Sequence, residues 1–86
     1  MKKIWFDEAW EGYMYWQKQD RKTLKRINSL IKDIERAGND GIGKPEQLKG
    51  ELNGFWSRRI DEKNRLVYRI TDDNILEILS CKGHYD

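Results

Sequence analysis

The feature that most constrains this chain is a change of hydrophobic period. Leu24, Ile27, Ile31 and Ile34 recur at three, four and three residues, the spacing of one helix face, while lysines and arginines fill the opposite face. Gly38-Asn39-Asp40-Gly41 then stops the pattern with residues that leave helices readily. After Gly54 the pattern follows the two-residue period of strands. A helical stripe followed by half-buried strands is buried most simply by laying helix on sheet.

The flanking segments extend this reading. Lys3 to Phe6 is a short aromatic strand, and Asp7 is the expected N-cap of a first helix carrying Trp10, Tyr13 and Met14 inward. That helix ends near Gln19, and Asp20 caps the second. From Ile42 to Asn53 a loop is expected, with one helical turn started by Pro45. A hairpin with the loop Glu62-Lys63-Asn64, and Asn64 left-handed, would set Arg59 opposite Val67 and Asp61 opposite Arg65. One of its faces then carries Trp56, Arg58, Ile60, Leu66, Tyr68 and Ile70, mostly core. The other carries Phe55, Ser57, Arg59, Arg65, Val67 and Arg69. A four-residue loop would mix polar and apolar side chains on both faces. Asp72-Asp73-Asn74 turns the chain into a covered central strand, Ile75 to Cys81. The expected fold is α+β, in the order β-α-α-β-β-β, with two N-terminal helices on a twisted, mainly antiparallel sheet. Residues 1–86 read as one domain, with Trp5, Trp10, Trp16 and Trp56 in the core.

Cys81 is the sole cysteine, so an intramolecular disulfide is excluded and a reducing compartment is expected. The basic opening Met1-Lys2-Lys3 meets Asp7-Glu8 before any long apolar run, which argues against a signal peptide. No stretch approaches the roughly 20 apolar residues of a membrane span. The expectation is a cytoplasmic protein. The net charge of +2 is mild, but Arg58, Arg59, Lys63, Arg65 and Arg69 face only Asp61 and Glu62 in the same stretch, a local basic surface.

Three kinds of side chain carry chemistry. Glu46 could act as a base, although a glutamate after Pro45 is also favoured by a helix dipole alone. His84 is the sole histidine and suits proton donation near neutral pH, or is simply an exposed residue near the end of the sequence. Arg59 and Arg65 on one strand face repel each other, which points to an anionic partner. Lys44 and Lys49 are either solvated lysines or the rim of a phosphate track. Tyr85 and Phe55 could stack on splayed bases, or be a loose end and a core aromatic. No zinc-ligand spacing, phosphate-binding glycine loop or nucleophile elbow is present, and Gly41 and Gly43 read as a helix end and a flexible loop. A base, an acid and fixed cations are the equipment for cutting RNA with its own 2′-hydroxyl as nucleophile.

Several blocks together carry a resemblance: Lys3-Ile4-Trp5, Tyr13-Met14-Tyr15-Trp16, Gly43-Lys44-Pro45-Glu46 with Leu48-Lys49, Gly54-Phe55-Trp56-Ser57-Arg58-Arg59-Ile60, Arg65-Leu66-Val67-Tyr68 and His84-Tyr85. With these the chain resembles the YoeB/Txe toxins among the RelE-like ribosome-dependent mRNA interferases, over essentially its whole length. The resemblance implies a microbial ribonuclease fold and endoribonuclease cleavage of mRNA in the A site of the 70S ribosome. It also implies neutralisation by a YefM-like antitoxin. Its roles fall on Glu46 as general base, His84 as general acid, Arg65 and Arg59 on the scissile phosphate, Lys49 on the phosphate track and Tyr85 orienting the substrate. No cofactor or metal is implied, and monomer and homodimer stay open. Asp86 extends beyond the usual His-Tyr ending, and Gln47 replaces a proline of the motif. A non-catalytic binding module, a gyrase-inhibiting ParE-like toxin and a structural interaction protein are the competing classes.

Overall fold

The computed structural model describes residues 1–83. It contains strand β1 (Lys2–Trp5), helices α1 (Asp7–Gln19) and α2 (Arg21–Ala37), a short strand β2 (Glu46–Gln47), a single 3-10 turn (Gly50–Leu52), and strands β3 (Trp56–Arg59), β4 (Arg65–Ile70) and β5 (Ile75–Ser80). The strands form one sheet in the order β1-β5-β4-β3-β2. Only the β1–β5 pairing is parallel. The expected α+β architecture is therefore observed, with one additional edge strand.

The two helices cover one face of this sheet. Ile27, Leu30, Ile31 and Ile34 of α2 and Ala9 and Trp16 of α1 are buried against Leu66, Tyr68, Leu76 and Ile78. Trp16 is anchored at both ends, its ring in the core and its indole N–H donating to the Cys81 carbonyl at 2.9 Å. Asp20 ends one helix and starts the next: its carboxylate accepts from the Lys22 and Thr23 backbone N–H groups, both at 3.1 Å. Trp10 departs from expectation. It is 48% exposed and lies edge-on to Trp5 of the edge strand β1.

Three local expectations are corrected. Asp7 lies inside α1 and Phe6 takes the cap position without a side-chain hydrogen bond, so Asp7 and Glu8 fall in the first turn, where the helix dipole favours carboxylates. Pro45 precedes a strand rather than a helical turn. In the β3–β4 hairpin Arg59 faces Arg65, and Ser57 faces Val67. The loop is longer than three residues, and among the described non-glycine residues only Lys44 and Asn74 have positive φ. Its closure comes instead from Asp61, whose Oδ1 accepts from the N–H groups of Lys63 and Asn64 at 2.8 and 2.7 Å. Register slips by two residues, so each side chain keeps the face that alternation assigns it.

A charged residue sits within the covered face. Arg58 is fully buried, and its guanidinium donates to Asp33 Oδ2 at 2.5 Å, to the carbonyls of Ile42, Gly38 and Asp40, and to the Tyr68 hydroxyl. This network ties the end of α2, the following loop and β3 together. It also fixes Gly41, where an added Cβ would stand 2.1 Å from Asp33 Oδ2 at φ +137°. Gly41 is thus required by the ion pair and is more than the end of a helix.

Arg36, Arg58 and the Ile42 N–H hold the Asp33 carboxyl well below the usual carboxylate range. A folded-state pKa below the unfolded one contributes stability that is complete above the ordinary carboxylate value. That contribution is lost as pH falls toward the folded value. The urea midpoint is expected to drop on acidification below about pH 4, and Asp33→Asn to flatten that slope. An unchanged slope in Asp33→Asn would assign the acid sensitivity elsewhere.

Burial pushes the Cys81 thiol up to about 12, and its Sγ donates to the Ala9 carbonyl at 3.4 Å. Cys81 is therefore expected to react stoichiometrically with a disulfide reagent at pH 8 only in denaturant. Rapid labelling of the folded protein would contradict this packing.

Candidate active site

The sheet face opposite the helices gathers most of the singled-out residues. Glu46 pairs with Ser57, and Ser57 with Val67, so these three lie in one row across β2, β3 and β4. Two positions along, Arg59 and Arg65 stand directly opposite each other on the same face. Residues diagonal across neighbouring strands lie about 7–8 Å apart, which brings Glu46 within reach of a group held by Arg59. Buried Ser57 and Val67 give this face a low floor, and exposed Glu46 and Arg59 stand at its edge.

The hairpin and the loop before β2 position the arginines. Arg59 N–H donates to the Gly43 carbonyl at 2.7 Å, which draws the Gly43-Lys44-Pro45 segment against β3. Gly43 permits that approach: at φ +82°, a Cβ there would come within 2.8 Å of Leu30. Lys44 follows at φ 51°, exposed beside the arginine strand. The Arg65 guanidinium donates to the Asp61 carbonyl at 2.7 Å, so backbone and not a carboxylate steadies it. Among the described residues neither Arg59 nor Arg65 forms an ion pair. Directly opposed like charges without an ion-pair partner disfavour the sheet, and an anion placed between them would relieve the repulsion.

The neighbouring Asp61 carboxylate attracts Arg65 electrostatically but forms no ion pair with it. Partial burial pushes its carboxyl up, but hydrogen bonds from Asn64 and Lys63 more than reverse this, so it stays ionised and occupied inside the turn. Lys49 is exposed before the 3-10 turn, farther along the β2 edge. Phe55 is half-buried, with the Arg69 guanidinium 4.6 Å over its ring, so one side of this aromatic is already occupied. Arg69 in turn donates to Glu77 at 2.5 Å, which separates it from the unpaired arginines.

His84 and Tyr85 lie outside the described residues. The chain is anchored immediately before them: Arg65 N–H donates to the Gly83 carbonyl at 2.9 Å, and Gly83 N–H donates to Asn64 Oδ1 at 2.9 Å. Glu46, Arg59 and Arg65 are thus brought to one face of the sheet, with Gly83 bonded at the start of β4. Asp33 is not singled out by the sequence and Gly41 reads there only as a helix end, yet both hold β3 from behind. An arginine at position 58 on an otherwise apolar face was the available signal, since a buried guanidinium requires a carboxylate.

A family model described as the YoeB-like toxin of bacterial type II toxin-antitoxin systems matches residues 5–85. The chain belongs to this family. It is 55% identical over 85 residues to Toxin YoeB of Escherichia coli K12, covering 99% of this chain and 100% of that one. A YoeB/ParE toxin from Agrobacterium tumefaciens superposes with a TM-score of 0.95 at 42% identity, over 99% of this chain and 100% of the other. The toxin in a heterotetrameric YoeB–YefM toxin-antitoxin complex from Staphylococcus aureus gives 0.91 at 48% identity, over 99% and 98% of the two chains. Family membership and fold are thereby shown together. Among the described residues no helix is long and apolar enough to cross a membrane.

Proposed function

We propose that this YoeB-like toxin is an endoribonuclease that cleaves mRNA in the ribosomal A site and so stops translation. The observation that carries this reading is the pair of opposed arginines, neither in an ion pair among the described residues, on the same face as an exposed glutamate. That arrangement offers a phosphate two guanidinium groups and offers the adjacent 2′-hydroxyl a base.

In the proposed reaction the Glu46 carboxylate takes the proton of the 2′-hydroxyl, and the 2′-oxygen attacks the adjacent phosphorus. Negative charge grows on the non-bridging oxygens, where Arg65 and Arg59 hold it. The P–O5′ bond breaks as His84 donates a proton to the leaving 5′-oxygen. The products are a 2′,3′-cyclic phosphate and a 5′-hydroxyl, and water can open the ring to a 3′-phosphate. No step needs a metal. Lys44 and Lys49 guide the flanking phosphates, and Tyr85 orients a base. Phe55 can offer only the ring side away from Arg69.

The cellular partners proposed with this reading are a YefM-like antitoxin, and the 70S ribosome with its mRNA, in the cytoplasm. Both would meet the arginine face, the antitoxin by supplying the missing negative charge.

The end groups test the chemistry. On programmed ribosomes, an mRNA with a single 2′-deoxynucleotide before the scissile phosphate is expected to resist cleavage there. The downstream fragment of normal mRNA should carry a 5′-hydroxyl. A 5′-phosphate, or undiminished cutting of the 2′-deoxy substrate, would contradict 2′-oxygen attack.

A further inference from the structure

The proposed reaction leaves unused a second basic surface on the opposite side of the molecule. Between Arg21 and Arg36, α2 carries six cations: Arg21, Lys22, Lys25, Arg26, Lys32 and Arg36. Its apolar stripe is buried on the sheet, so at 3.6 residues per turn Lys22, Lys25, Lys32 and Arg36 form one row on the outward side, with Arg21 beside them. All five are exposed. The row covers about 21 Å of helix length at 1.5 Å per residue.

Neighbouring carboxylates balance this row only in part: Arg36 is paired with Asp33, and the Asp20 cap attracts Lys22. Asp33 is bound to Arg58 and Arg36, Glu35 pairs with Lys3, and Asp20 is occupied as the helix cap. Among the described residues Arg21, Lys22, Lys25 and Lys32 form no ion pair. Ser29 is the exposed residue in the middle of the row, so no apolar side chain interrupts it. A protein partner would call for a central apolar or aromatic anchor. A straight row of flexible cations without one suits the regularly spaced phosphates of a nucleic-acid backbone.

We propose that this outer ridge of α2 binds the phosphate backbone of double-helical RNA, while the sheet face takes the single strand to be cut. The proposal rests on the endoribonuclease reading and deepens it. A toxin that grips structured RNA on one side and a single strand on the other acts best where both are presented together, as on a ribosome. Binding through the ridge is independent of sequence and strongly dependent on salt.

The test uses the full chain and the variant Lys22→Gln/Lys25→Gln/Lys32→Gln, with folding checked by circular dichroism. Binding to a 16-base-pair RNA duplex of arbitrary sequence is measured between 50 and 200 mM salt. Each lost phosphate contact should make the slope of log K against log salt shallower by about 0.9, or about 2.7 for three. Cleavage on ribosomes should show a raised KM with kcat retained. Glu46→Gln should bind the duplex like the wild type, which separates the ridge from the proposed chemistry: duplex binding can be scored even if no cleavage is found. An unchanged slope in the triple variant would overturn the proposal. So would a 20-residue polyglutamate that binds through these lysines while the duplex does not.

Discussion

Replacing Glu46 with glutamine is expected to slow mRNA cleavage by about 10²- to 10⁴-fold, the usual contribution of one positioned acid–base group. The substitution keeps the shape of the side chain and removes only its ability to accept a proton. Glu46 is exposed on a two-residue edge strand, so the fold should be indifferent to the change. His84→Ala should give a loss of the same order by leaving the 5′-oxygen without its proton. The two losses need not add, because residues that act in one reaction coordinate are not independent. Single-turnover cleavage on programmed ribosomes measures the effect without interference from product release. Wild-type rates in both variants would remove general acid–base catalysis by these residues from the account.

Arg58→Ala is expected to destabilise the protein by about 3–5 kcal/mol, because it breaks a buried ion pair and strands its partner. In a domain of this size that amounts to a fall in Tm of about 12 °C or more. The guanidinium also satisfies the carbonyls of Gly38, Asp40 and Ile42, which would lose their donor in the interior. Arg59 is the useful control. It is the adjacent arginine, it is exposed, and it forms no ion pair among the described residues. Arg59→Ala should leave Tm within a few degrees and lower cleavage instead. Thermal unfolding followed by circular dichroism distinguishes the two, and equal effects would mean that the division between scaffold and site is wrong.

This division of labour between adjacent arginines marks the limit of what the sequence made legible. Alternation assigned Arg58 to the helix side and Arg59 to the open side, and both assignments hold. The α2 stripe and the Asp20 cap were equally plain, since local spacing determines them. The partner of Arg58 was not, because Asp33 lies 25 residues earlier on a helix and only tertiary packing brings the two together. The hairpin register was misjudged for a related reason. Asn64 does not take the left-handed conformation, and the Asp61 side chain closes a longer loop instead. Glu46 was expected at a helix start and is instead on an edge strand, where pairing with Ser57 fixes its face more firmly. Exposed Trp10 shows the remaining weakness: residue type alone does not reveal which aromatic positions are left exposed.

The most direct test of the central claim is primer extension on an mRNA incubated with wild-type protein or Glu46→Gln, with and without programmed ribosomes. Cuts are expected only within the A-site codon, only with ribosomes and wild-type protein, and are lost in the variant. Cleavage that persists in Glu46→Gln, or no cleavage under any condition, would contradict it.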